Sequence, residues 1–352
     1  MSDSRLDRLR GELAPLDAAT FLVTHPVNVR YLTGFESSNA ALLIRDDRVL
    51  LLTDGRYAEA ARAVEGVELI QATRDIAPFL GERLAEIVDP PVAFESGHVT
   101  YAAYEALARS GIELLPAAGV VERLRAVKDA GELEAIRRAA KVTDAAYERL
   151  SKEAITGKTE AEVAWWLEAV LHDAGADGVA FQPIVGSGPN AALPHHHPGD
   201  RKIGLGETVL VDMGAMLGGY FSDCTRTFAT GELSADLWEA YGLCRDAQTE
   251  ALEALRPGAA ALEVDALARG RIRDAGHEVL HGLGHGVGLE IHEQPRLSDT
   301  SDAVLASGNV VTVEPGVYLA GRGGIRIEDL VIVGPDGPEV LSSFTKELVV
   351  LE

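Results

Sequence analysis

Four acidic residues stand in apolar company where a carboxylate is costly. Asp212 and Asp223 lie within VLVDMGAMLGGYFSDCTRTF (209–228), Glu314 within VVTVEPGVY (310–318) and Glu328 within GIRIED (324–329). A carboxylate among apolar neighbours loses hydration that nothing in a core returns, so it needs a cation or a hydrogen-bond donor. Candidate partners lie close by in the chain. HGLGHGVGLEIHEQPR (281–296) carries His281, His285, His292 and Arg296, and Arg326 precedes Glu328 by two positions. Four carboxylates with one or two imidazoles form a mostly hard, oxygen-rich ligand set suited to Mn²⁺, Co²⁺, Zn²⁺ or Fe²⁺. Their charge is too great for one divalent ion and balances two. Any one of these acids taken alone would more commonly sit solvated on the surface; as a group, in apolar strands beside a histidine flanked by glycines, they point to a metal site.

The elements that must position these residues follow from periodicity and punctuation. Residues 208–215 and 219–228 read as two strands joined by a turn at Leu217-Gly218-Gly219, each strand carrying one aspartate. Alternation places Arg326 and Glu328 on one side of a strand over 324–331, and Asp212 on the face of Leu210 and Gly214. Glu314, before Pro315-Gly316, marks a strand end. His281 and His285 are four apart, but glycines at 282, 284, 286 and 288 argue for a loop or irregular strand whose backbone passes close to something, and only one of the two need be a ligand. The triple His195-His196-His197 lies in a loop of glycines and prolines approaching the first strand pair, with His196 and His197 expected to face solvent.

Around these, helices are expected over 234–256 and 260–275, separated by Pro257-Gly258, and one helix or two in succession over 122–150. Thr159 followed by Glu162 is a capping box opening a helix to about Leu171. That helix holds Trp165 and Trp166, one expected to pack internally and the other at a contact. Strands and helices alternate through the first 118 residues or so, which marks an α/β domain; there FLVTHPVNVRYLTGF carries an apolar strand into a turn. The domains are expected at 1–120 and 131–352, with a junction helix over 121–130. The second runs helix, helix, strands, helix, helix, strands, an α+β order that repeats loosely.

Composition excludes several classes. With 352 residues, 47% of them hydrophobic, the chain can bury a large core. Lys+Arg total 32 against Asp+Glu 55, a formal net charge of -23, which disfavours nucleic acid and anionic membranes as partners. Two cysteines, Cys224 and Cys244, make neither a disulfide scaffold nor a thiolate cluster, and Cys224 reads as a buried small hydrophobe. No window approaches the roughly 18 apolar residues of a membrane span, and no signal peptide is evident, so the cytoplasm is the expected location.

The motifs carry a resemblance. Asp212 and Asp223 eleven apart, His285 in HGxGHGxGLxxHE, Glu314 in TVEPGxY and Glu328 in GIRIED resemble the ligand pattern of the creatinase, prolidase and aminopeptidase P family. VRYLTGF and LLTDGRY are similar to that family's smaller N-terminal domain. The resemblance implies an α+β pita-bread catalytic domain preceded by a creatinase-like α/β domain. It implies two divalent metal ions, Mn²⁺ first and Co²⁺ or Zn²⁺ otherwise, held by Asp212, Asp223, His285, Glu314 and Glu328, with Asp223 and Glu328 bridging. His195 matches the family's loop histidine beside the substrate, His292 the histidine that touches the scissile amide, Glu314 its proton carrier, and Arg326 and Tyr318 residues behind the ligands. His281 resembles a pocket-lining histidine.

The implied activity is hydrolysis of an Xaa-Pro bond in short proline-containing peptides by a metal-activated water. Arg296 looks like the arginine that holds the substrate carboxylate in prolidases, which favours an Xaa-Pro dipeptidase over an Xaa-Pro aminopeptidase. A creatinase works without metal and lacks the full carboxylate set, and a non-catalytic peptide-binding relative would be expected to have lost ligands. A homodimer is the assembly implied.

Overall fold

The computed structural model describes residues 5–351. The chain forms two compact units, one ending at Arg125 and the other starting at Ala126.

The first unit is built on a six-stranded mixed sheet. Its strands are β1 (Thr20–Val23), β2 (Ala40–Ile44), β3 (Val49–Thr53), β4 (Glu68–Gln71), β5 (Val92–Glu95) and β6 (Leu114–Ala117), in the order β4-β3-β2-β1-β5-β6. The apolar runs that mark β1, β2 and β3 are buried throughout, as expected for central strands covered on both faces. Helices α1 (Arg5–Leu13), α2 (Pro26–Thr33), α3 (Ala58–Ala61), α4 (Ile76–Ile87), α5 (Tyr101–Ala108) and α6 (Val120–Ala126) complete it. Leu80 and Leu84 of α4 and Leu107 of α5 pack against Leu43, Leu50 and Phe94 of the sheet. One expectation is corrected: after β1 the chain does not turn but forms α2. Pro26 occupies the first helical turn, and Gly34, at φ +72°, closes the helix by donating its N–H to the Arg30 carbonyl. The Pro-start and Gly-stop signals were present, and the apolar run between them obscured the helix.

The second unit opens with α7 (Ala130–Leu150), separated from α6 by a break at 127–129 where Asp129 and Glu132 form a reciprocal capping box. Helix α8 (Glu160–Asp173) begins at the expected capping box of Thr159 and Glu162. Trp166 packs against the core beneath α7 and α8, whereas Trp165 is 66% exposed. There follow β7 (Gly178–Val179), β8 (Ile184–Ser187), β9 (Thr208–Met213), β10 (Ala215–Leu217), β11 (Tyr220–Phe221) and β12 (Cys224–Ala229). Helices α9 (Ala235–Ala254) and α10 (Ala261–Asp274) then lead to β13 (Gly284–Gly286), β14 (Glu293–Leu297), β15 (Val310–Val313), β16 (Gly316–Leu319), β17 (Gly323–Arg326), β18 (Asp329–Gly334) and β19 (Gly337–Val340).

Each strand pair that bears two acids is broken into two sheets; the break at Glu314 falls at the expected strand end, whereas 208–215, 219–228 and 324–331 were each expected as one strand. β9 pairs with β12, but beyond Met213 the hairpin continues as β10 with β11 in a different sheet. In the same way β15 pairs with β18, and beyond Val313 the hairpin continues as β16 with β17. Asp223 therefore lies in the gap between β11 and β12, and Glu328 in the gap between β17 and β18 rather than on one strand with Arg326. Each broken hairpin has its own helix pair, α7 with α8 and α9 with α10, packed in separate apolar clusters. Among the described residues no helix is long and apolar enough to cross a membrane.

Candidate metal centre

The gaps in the hairpins are what bring the acids together. At Gly214, between β9 and β10, a Cβ would stand 1.9 Å from the Ser222 carbonyl oxygen, so the two chains meet there only because the residue is glycine. Helix α7 satisfies the backbone at this crossing: the Ala215 N–H donates to Thr143 Oγ1 (3.1 Å) and Ser222 Oγ (3.0 Å), and the Tyr147 hydroxyl lies 2.9 Å and 2.7 Å from the Val211 and Cys224 carbonyls. The glycines of the histidine segment act likewise. A Cβ on Gly284 would meet the Thr312 carbonyl at 2.0 Å and one on Gly286 the Gln294 carbonyl at 2.2 Å, so β13 threads between β14 and β15 and delivers His285.

Asp212, Asp223, His285, Glu314 and Glu328 all line one cavity of about 780 Å³. Ligand atoms of Asp223, His285 and Glu328 lie within 4.8 Å of one another. His285 Nε2 stands 3.6 Å from Asp223 Oδ2 and 3.4 Å from Glu314 Oε1. Its Nδ1 is 3.0 Å from the Gly286 carbonyl, which can only accept, so Nδ1 carries the proton and Nε2 presents a lone pair to the acids. Burial holds the His285 imidazole neutral by pushing its pKa down to about 4.

Electrostatics in the cavity call for positive charge. Burial, then repulsion from Glu328, Asp212 and Glu314, raises the Asp223 carboxyl well above the carboxylate range, and burial followed by Glu314 and Asp212 does the same to Glu328. Burial also raises Glu314, to about 7, and Asp212 is raised less because Arg326 offsets part of the burial. Arg326 donates from Nη2 to Asp212 Oδ2 at 2.6 Å, while Asp212 Oδ1, equally buried, has no hydrogen-bond partner among the described residues. A buried carboxylate oxygen without a donor, beside three more acids and a neutral imidazole, is the donor set a divalent cation would complete. The residues fit such ions.

The other candidate residues surround the same cavity. His195, His281, His292, Arg296 and Arg326 line it, His292 stacking edge-on with His285 at 4.4 Å between ring centres. Tyr318 is not among the lining residues. Its hydroxyl stands 2.8 Å from His281 Nε2 and accepts from Arg326 Nη1 at 3.1 Å. His281 Nδ1 lies 2.8 Å from the Gly282 carbonyl and must donate there, so Nε2 accepts from the Tyr318 hydroxyl. One chain of hydrogen bonds thus runs from Asp212 through Arg326 and Tyr318 to His281. Another expectation is corrected for His196, whose side chain is only 13% exposed because Glu160 holds it, whereas His197 is exposed as expected, at the cavity's lining.

Comparison with known proteins gives this arrangement its place. The model of Metallopeptidase family M24 matches residues 134–335, and that of the Creatinase/Prolidase N-terminal domain matches residues 5–127. The chain belongs to metallopeptidase family M24. It is a metal-dependent peptidase, with a pita-bread catalytic domain after a creatinase-type N-terminal domain. A peptidase of Bacillus subtilis, YqhT, is 37% identical over 99% of this chain and 100% of its own. Among solved structures, an Xaa-Pro dipeptidase from Bacillus anthracis superposes with a TM-score of 0.94 at 37% identity, covering 99% of each chain. An X-Pro aminopeptidase from Thermotoga maritima superposes at 0.87 with 31% identity, covering 97% of this chain and 100% of that one.

Two threonines of this metallopeptidase escaped the sequence reading. Thr225 Oγ1 accepts from Arg326 Nε at 3.1 Å and donates to Glu328 Oε2 at 2.7 Å. Thr312 Oγ1 accepts from the His285 N–H at 3.0 Å and lies 3.3 Å from Glu314 Oε1. Both sit two residues from an acid, Thr225 after Asp223 and Thr312 before Glu314, and period-two spacing was the signal that could have found them.

Proposed function

We propose that this chain is a binuclear Xaa-Pro dipeptidase, with Asp212, Asp223, His285, Glu314 and Glu328 as the ligands of two divalent ions, Mn²⁺ before Co²⁺ or Zn²⁺. The observation that carries the reading is the convergence of these five side chains on one cavity that also holds His195, His292 and Arg296. Bound there, the ions would supply Lewis acidity and a water acidic enough to ionise near neutral pH.

The chain's own residues divide the remaining work. Glu314, at the cavity wall, would take a proton and hand it to the departing proline nitrogen, which has no N–H of its own and leaves as a secondary amine. His292 and His195 line the cavity and would each donate a hydrogen bond to the oxygen on which charge develops. Arg326 neutralises part of the acidic cluster and, through Tyr318, fixes the His281 ring on the cavity wall. Arg296 is exposed within the cavity, without a hydrogen bond or ion pair among the described residues, and would clamp the carboxylate of a C-terminal proline.

A second reading has a specific observation behind it. An aminopeptidase that removes the residue before a penultimate proline would use the same cluster, and the Thermotoga maritima structure carries that name. Parallel assay of Ala-Pro and Ala-Pro-Ala, after chelation and reloading with Mn²⁺ or Co²⁺, separates the two: the dipeptidase cleaves the dipeptide, whereas preference for the tripeptide reverses the ranking. Removing Arg296 (Arg296→Ala) should raise KM for Ala-Pro about 10-fold or more and leave a longer peptide less affected; equal effects would remove Arg296 from substrate binding.

A further inference from the structure

Residues 194–198 line the cavity, and the segment that carries them, 187–201, is anchored to the start of α8. Glu160, the first residue of α8, has a fully buried side chain that faces this segment. Its Oε1 accepts from the Ser187 N–H (2.8 Å), the Ser187 hydroxyl (2.7 Å) and Asn190 Nδ2 (3.1 Å); its Oε2 accepts from Asn190 Nδ2 (3.0 Å) and lies 2.7 Å from His196 Nε2. The returning strand of the loop is tied to the same helix end, the Glu160 N–H donating to the Arg201 carbonyl (3.0 Å) and the Ala161 N–H to the Gly199 carbonyl (3.1 Å). Arg201 closes the circuit by donating to the Ser187 hydroxyl (2.6 Å) and, with both Nη atoms, to Glu207.

His195 sits at the free point of this arch. On one side the Pro194 carbonyl accepts from Arg326 Nη1 at 3.2 Å; on the other His196 is held by Glu160. Among the described residues no hydrogen bond holds the His195 ring itself, which is exposed in the cavity. Its position is therefore set by its two neighbours. Burial pulls the Glu160 pKa up, but the hydrogen bonds from Ser187 and His196 more than offset it and leave the group below its ordinary value. Glu160 is thus a carboxylate that can only accept, and His196 Nε2 must be the donor.

We infer that Glu160 and His196 form a clamp that sets where His195 stands over the acidic cluster, making His196 a positioning residue. The inference rests on the role proposed above for His195 and adds a residue outside the reacting groups. It depends on geometry, because a displacement of about 1 Å in a group that touches the substrate can cost a hundredfold in rate.

The test uses the full-length, Mn²⁺-loaded enzyme. His196→Ala is expected to lower kcat for Ala-Pro roughly 10- to 100-fold, with KM within about 2-fold and metal content unchanged. His196→Gln, which restores an N–H donor at similar reach, is expected to recover most of the loss. Hydrogen exchange followed by mass spectrometry provides a readout without substrate: peptides spanning 188–201 should exchange faster in His196→Ala and at the wild-type rate in His196→Gln. Wild-type kinetics and exchange in the alanine variant would overturn the clamp, as would glutamine failing to do better than alanine, or a loss of metal. Should the wild-type enzyme cleave neither Ala-Pro nor Ala-Pro-Ala, the proposed function falls while the exchange data still decide the clamp.

Discussion

The residues that would touch metal were visible as types, but what prepares them for it is a set of neighbours without charge. Thr225 is the clearest case. Its one hydroxyl links Arg326 to Glu328, so the guanidinium's Nε and the carboxylate's Oε2 are both satisfied through it. Replacing it by the isosteric Thr225→Val leaves a buried donor and a buried acceptor unpaired, each at a cost of about 1–3 kcal/mol. It also frees Glu328 to rotate. Groups behind metal ligands typically alter affinity about 10- to 100-fold, and Thr225→Val should weaken Mn²⁺ binding by that range in a calorimetric titration. An unchanged affinity would show that the apolar packing alone fixes Glu328. Asp212 makes the complementary point: one oxygen is neutralised by Arg326, the other has no donor, and so the group is half prepared for a cation.

At the scale of elements, the deciding feature is the broken hairpin, used twice. The apolar runs predict strands well here, since β9, β12 and β15 fall on the expected runs, while the strand expected over 324–331 divides between β17 and β18. Pro315-Gly316 marks the break after β15, but at Met213-Gly214-Ala215 the apolar run passes through the gap and periodicity does not show where the strand leaves one sheet for another. That break is written instead in close approach, and Gly214 is the residue that permits it. Gly214→Ala would force a methyl onto the Ser222 carbonyl, a backbone atom with little room to yield. Overpacking of this kind costs typically about 1–3 kcal/mol and here should reach or exceed the upper end, with loss of bound metal because Asp212 and Asp223 flank the crossing. A thermal midpoint and metal content both like wild type would mean the hairpin tolerates separation. The helix α2 and the Glu160–His196 contact were hidden for different reasons. The first was masked by an apolar run that fits either period; the second joins residues 36 apart, and no local pattern carries such a contact.

At the scale of the molecule, each half of the catalytic unit contributes two of the four acids, Asp212 and Asp223 from one and Glu314 and Glu328 from the other. The cluster exists only when both halves are packed, so metal binding is coupled to folding of the whole unit. This gives a prediction with a definite sign. In chelated protein burial raises the Glu314 carboxyl from 4.5 to about 7, and burial with mutual repulsion raises Asp223 and Glu328 well above the carboxylate range. A carboxyl whose folded pKa exceeds its unfolded value binds more protons in the native state. Its contribution to stability is complete below about pH 4.5 and is lost as pH climbs through 7. Cations bound by these acids would hold them ionised and reverse the dependence. Thermal unfolding of chelated enzyme should therefore worsen between about pH 5 and 7.5, while Mn²⁺ at about a hundredfold excess over its Kd restores roughly 5–10 °C near neutrality and progressively less toward pH 5. A metal-induced gain that is absent, or equal at both ends of the range, would mean that the acids are not held together by folding in the way the two broken hairpins require.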